Sequence, residues 1–192
     1  MCAPQKNHNV RPVACTIYVA AQTRRAEFIK NEALTTNPLS RRDPHMFNPT
    51  REQVREFFID VWRKYQAQEV LSALETVAAG IVLEHPEYHS LLIGQDAMTR
   101  EFPPEGGQTN PFLHLSLHLA IEEQLSIDQP PGIRAAFETL RRTRGGRHNA
   151  MHDVLECLGE TMFKALRDKG SPDGAAYLDS IRRRAGMPSA AD

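Results

Sequence analysis

The chain has 192 residues, a length that fits one domain or one domain with an appendage. With 41% hydrophobic residues it can bury a core, which excludes disorder over the whole chain, and 23 Lys and Arg against 24 Asp and Glu exclude a protein that holds nucleic acid through bulk positive charge. No apolar run approaches the ~18 to 20 residues of a spanning helix, so no membrane is expected. The three cysteines, Cys2, Cys15 and Cys157, make neither a disulfide framework nor a CxxC knuckle, and a reducing, cytoplasmic setting is the expectation.

Charge divides the chain. Residues 1–45 hold seven basic and three acidic side chains, leaving 16 basic and 21 acidic in the rest. Pro4, Pro12, Pro38 and Pro44 punctuate this first segment, which has no helical period and only one short apolar stretch, Val13 to Ala21, too weak for a good signal peptide. Met46 stands directly before Phe47-Asn48-Pro49-Thr50, where periodicity begins. Residues 1–45 are therefore expected to be a disordered extension or to follow an upstream misread start, with one helical domain over 46–185 and a flexible tail over 186–192.

From residue 47 helix follows helix. Asn48 with Pro49 offers a capped start, and Val54, Phe57, Phe58, Val61, Trp62 and Tyr65 recur at steps of three and four. Ser72 and Glu75 have capping-box spacing and open a second helix that runs until Pro86. A short helix through His89 to Ile93 precedes a loop over 94–109, marked by Pro103-Pro104 and Gly106-Gly107. Asn110-Pro111 repeats the cap-plus-proline start for a helix to about Ile127; others are expected over 133–142, 147–167 and 172–183. With no alternating pattern and no fixed repeat, the fold class is all-α, a bundle of six or seven helices.

Two of these helices carry the chemistry. His114, His118 and Glu122 on one, and His148, His152 and Glu156 on the other, each spell HxxxHxxxE. At about 100° per residue the second histidine lies about 40° and the carboxylate about 80° round from the first, so each triplet is a stripe, the spacing by which one helix offers two nitrogens to one ion. On the first helix the stripe falls among Ile121, Leu125, Leu115 and Leu119 and points into the core, with Ser116 and Glu123 opposite. On the second it follows the edge of an apolar face, with Gly159 placed to let another chain or ligand approach. One intervening helix implies that the two run parallel with their stripes in register.

Burying four imidazoles and two carboxylates without partners costs several kcal/mol. One solution is a centre of four nitrogens and two oxygens around one or two transition metals, Zn, Fe or Mn by donor type. Another is an interhelical hydrogen-bond network in a non-catalytic interaction module, and a third is metal-free acid–base chemistry. The segment Glu84-His85-Pro86-Glu87-Tyr88-His89 adds histidines and acids at a helix break, where an exposed polar corner is the plainer reading. Glu160 and the basic runs Arg141–Arg147 and Arg182–Arg184 read as solvated surface, and Cys157 as a small packed residue.

Phe47-Asn48-Pro49, the stretch from Asn110 to His114 and on from Gln124 to Arg134, and His148, His152 and Glu156 with Cys157-Leu158-Gly159-Glu160 resemble the bacterial family known as domain of unknown function 1841, over roughly residues 47–184. The resemblance implies a start near Met46 and carries no activity, so the metal, network and acid–base readings stay open. The favoured function is a metal-dependent enzyme or metal sensor that uses His114, His118, Glu122, His148, His152 and Glu156.

Overall fold

The structure is a computed structural model that describes residues 49–103 and 109–188. The extension expected over 1–45, the suggested cap Asn48 and the end of the tail, 189–192, lie outside the described residues. Among the described residues there are seven α-helices and no strand: α1 (Arg51–Gln66), α2 (Ala73–Leu83), α3 (His89–Leu92), α4 (Pro111–Ile127), α5 (Ile133–Thr143), α6 (Arg147–Arg167) and α7 (Gly174–Arg184). A 3-10 turn, Pro86–Tyr88, joins α2 to α3.

Local sequence explains most boundaries. The first helix is capped by Thr50, two residues later than Asn48, because the Thr50 hydroxyl accepts from the Gln53 amide while the Gln53 side chain accepts from the Thr50 amide. Ser72 and Glu75 make the same reciprocal pair at α2. Asn110 caps α4 by accepting from Phe112 and Leu113, with Pro111 at the first position, where no amide is needed. Asp128 ends α4 in the left-handed region (φ 53°), and its carboxylate accepts from the amides of Gly132 and Arg134. Gly132, at φ 96°, takes a backbone conformation that other residues rarely adopt. Asp173 caps α7, so that helix begins two residues later than Pro172.

The core has two parts that share α4. One is built from α1, α2 and α3 with Phe112, Leu115 and Leu119 of α4; the other from α5, α6 and α7 with Leu117, Ala120, Ile121 and Leu125 of α4. α4 is thus buried on nearly every side, Ser116 included, whose hydroxyl donates to the Phe112 carbonyl at 2.6 Å. Of the polar side expected for this helix, Ser116 is buried and Glu123 half-buried. α7 is tied to α4 where the Tyr177 hydroxyl donates to Gln124 at 2.9 Å. A buried Arg55 donates to the carbonyls of Ala97, Met98 and Arg100 and lies over the Phe112 ring, pinning the segment after α3 against α1 and α4.

α4 and α6 are not parallel and in register. Across their contact Arg147 meets Glu122, His148 and His152 both flank His118, and His152 flanks His114, an order that runs in opposite senses along the two helices. α5 packs chiefly on α6 and α7 rather than lying back along α4, so it does not act as the simple reversal that a parallel arrangement requires. Gly159 has open space where a side chain would sit, and nothing approaches it closely.

Candidate metal centre

Four histidines converge where α2, α4 and α6 meet. His114 and His118 come from successive turns of α4, His152 from the second turn of α6, and His85 from the position directly before the 3-10 turn. One nitrogen of each lies within 4.8 Å of the others. His114 Nε2 is 3.1 Å from His85 Nε2 and 3.1 Å from His118 Nε2. With metal–nitrogen bonds of ~2.1 Å, donors at right angles stand about 3.0 Å apart and tetrahedral donors about 3.4 Å apart, so these separations have the size of a coordination polyhedron's edges.

His85 is the hub. It is only 1% exposed, and its ring centroid lies 4.9 Å from that of His114, 4.5 Å from His118 and 5.7 Å from His152. Its Nδ1 lies 2.8 Å from the Ile81 carbonyl, which can only accept, so Nδ1 carries an N–H and Nε2 is the nitrogen left to turn a lone pair toward His114. A ligating imidazole is commonly oriented in this way, by donating its other N–H to a carbonyl. Tyr88 stacks parallel to the same ring at 5.7 Å.

Hydrogen bonds among the rings cannot satisfy this arrangement. If His114 Nε2 carries a proton and gives it to His85, the same proton does not serve His118; if it accepts from His118, two lone pairs face each other at 3.1 Å. His152 Nε2 is in addition buried with no hydrogen-bond partner. A cation among the four nitrogens would use every one of these lone pairs. Protonation is disfavoured as well. Burial, and then the charges of neighbouring histidines, hold His114 down to about 4 and His118 down to about 2, and the same causes lower His152, so these imidazoles are neutral near pH 7 and competent to bind metal.

The structure brings together His114, His118 and His152 of the six residues singled out in the sequence and adds His85. Glu122 instead binds Arg147, and Glu156 binds Arg184, which also reaches Asp153 and Glu160. Their partners come from the two basic runs read as solvated surface. His148 lies at the rim, its ring 4.5 Å from His152 and 5.2 Å from His85, with Nδ1 3.4 Å from a Glu84 oxygen. The exposed-corner reading of residues 84–89 thus fails for His85 and also for His89, which donates to the Val82 carbonyl and stacks on Trp62 at 4.1 Å. A signal for His85 was present, since Ala78, Ile81, Val82 and His85 continue one stripe of α2 beyond the helix end.

Fold and site together define a helical domain with a buried four-histidine cluster able to hold a metal ion. The chain belongs to the family described as domain of unknown function (DUF1841), whose model matches residues 50–183. No match is found among curated proteins or among solved structures. No helix among the described residues is long and apolar enough to cross a membrane.

Proposed function

We propose that this domain is a transition-metal-binding protein, a metal-dependent enzyme or a metal sensor, whose ion is held by Nε2 of His85, His114, His118 and His152. The observation that carries the reading is the convergence of three Nε2 atoms at 3.1 Å contacts that neutral tautomers leave unsatisfied, beside a fourth, buried Nε2 with no partner. Imidazole donors suit zinc and iron, whereas manganese favours oxygen, and neither Glu122 nor Glu156 supplies that oxygen because arginines hold both. Four neutral donors leave the charge of a divalent ion uncompensated. Such an ion could polarise a bound water or substrate, or change oxidation state.

The test is elemental analysis of the full chain purified without a histidine tag, together with His118→Ala, Glu122→Gln and Glu156→Gln. Near-stoichiometric metal in the wild type and both glutamine variants, and loss in His118→Ala, is the expected result. Trace metal throughout, with a melting curve that chelator leaves unchanged, would refute the proposal.

A further inference from the structure

Glu84 and His148 stand immediately outside the four-histidine set. His148 occupies the first turn of α6, four residues before His152, as His114 precedes His118 on α4. The two pairs are alike in space: ring centroids are 4.5 Å apart for His148 and His152, and 4.8 Å apart for His114 and His118. The α4 pair puts both its rings into the cluster. The α6 pair puts in one, while the other remains 45% exposed at the edge, against a Glu84 side chain that is 47% exposed.

The tautomer of His148 is set from outside. Its Nδ1 faces the Glu84 carboxylate, which accepts, so Nδ1 carries an N–H and Nε2 is the nitrogen left to offer a lone pair. His85 is arranged in the same way by the Ile81 carbonyl. A histidine whose Nδ1–H is held by a carboxylate and whose Nε2 is free is the usual form of a metal-ligating imidazole. Rotation of a half-exposed side chain in a first helical turn meets little packing resistance, and the ring already touches His85 and His152. The two 3.1 Å spacings that His114 Nε2 makes, to His85 and to His118, are also close to the right-angle edge of five- and six-coordinate centres, which have room for a further nitrogen.

We propose that His148 is a fifth, displaceable ligand of the centre and that Glu84 is the carboxylate that orients it, so that the site takes a metal accepting five or six donors, of the iron or cobalt class, rather than a four-coordinate zinc. This rests on the four-histidine reading and adds to it a coordination number and two residues. The half-exposed position makes His148 the ligand that an incoming small molecule displaces, while the four inner histidines keep the ion.

Cobalt(II) reports coordination number directly, because its visible bands are several-fold more intense in tetrahedral than in five- or six-coordinate surroundings. The full chain, freed of metal, is titrated with cobalt(II) as wild type and as His148→Ala, His148→Gln, Glu84→Ala and Glu84→Gln. The wild type is expected to show weak bands; both His148 variants should still bind one equivalent, with bands several-fold stronger and affinity about tenfold lower. Glu84→Ala should lose affinity about tenfold, as removal of an orienting carboxylate does, and Glu84→Gln, whose amide oxygen still accepts, should recover most of it. Two His148 variants guard against one that fails to fold. Spectra and affinities identical to wild type in both overturn the fifth-ligand assignment and leave the four-histidine site standing. Failure of the wild type to bind cobalt refutes the four-histidine site itself.

Discussion

Protons compete with folding at this cluster, and the size of the effect follows from the burial of two rings. His114 and His118 have native values of about 4 and about 2, whereas in the unfolded chain a histidine returns to about 6.5. The native values are depressed, so above pH 6.5 both states are neutral and nothing is lost. As pH falls below 6.5 the unfolded chain takes up protons that the folded chain refuses, and stability declines until the native value is reached. Integrated between pH 7.5 and pH 5.5, each ring costs roughly 1 to 2 kcal/mol, and the two together about 3 kcal/mol, a large fraction of the ~5–15 kcal/mol typical of a domain. Urea unfolding of the metal-free protein in chelator, followed by the fluorescence of the lone Trp62, would measure this. In His118→Ala the pH-dependent loss should shrink by the share of the removed ring, roughly 1 to 2 kcal/mol, whatever the variant's absolute stability. Equal stability at pH 7.5 and 5.5, or an undiminished loss in His118→Ala, would show that these rings titrate normally and that the cluster is not closed to water.

Metal should act in the opposite direction. With free ion at about 100 times its dissociation constant, the native state gains about 2.7 kcal/mol, seen as a higher midpoint in calorimetry that chelator reverses; an unmoved midpoint would count against binding. Arg55→Ala should destabilise by about 3 kcal/mol, since it strips three carbonyls of their donor and leaves a hole between Phe102 and Phe112, and Arg55→Lys should recover little because one ammonium cannot reach all three; a Lys variant of wild-type stability in urea would contradict this. Asn110→Ala should cost about 1 kcal/mol through the lost cap of α4, and a change within error would mean that burial alone holds that end. A chain beginning at Met46 should melt cooperatively within a few degrees of the full chain; loss of cooperativity would assign the preceding residues to the core.

Much of the fold was legible because helix ends are local chemistry. Ser72 with Glu75, and Asn110 with Pro111, fix their helices through contacts three residues long, which a sequence displays directly. Thr50 was obscured by Asn48-Pro49, an equally good pattern two residues earlier, and only the reciprocal Gln53 contact distinguishes them. The site was legible by half. Spacing within one helix identified His114, His118 and His152, but the match between stripes depends on how α4 crosses α6, which no single helix encodes. The carboxylates went astray for a related reason: about 80° of rotation carries Glu122 and Glu156 off the histidine line, where arginines from other segments hold them. His85 lies 29 residues before His114 and past the end of its helix, so no periodic template includes it, although it extends the apolar stripe of α2.

The histidine cluster lies on the seam between the two halves of the core. His85 belongs to the α1–α3 side, His152 to the α5–α7 side, and His114 and His118 to the one helix that both sides share. Two hydrophobic bodies joined along a single helix can open as separate cooperative units, each exchanging its amides at its own free energy. An ion bound by nitrogens from both sides acts as a staple across that joint. Opening either body then requires breaking a ligand bond, and the two units merge into one. Occupancy of the centre would therefore be written in the hydrogen exchange of α2 and α6, well beyond the few residues that touch the ion.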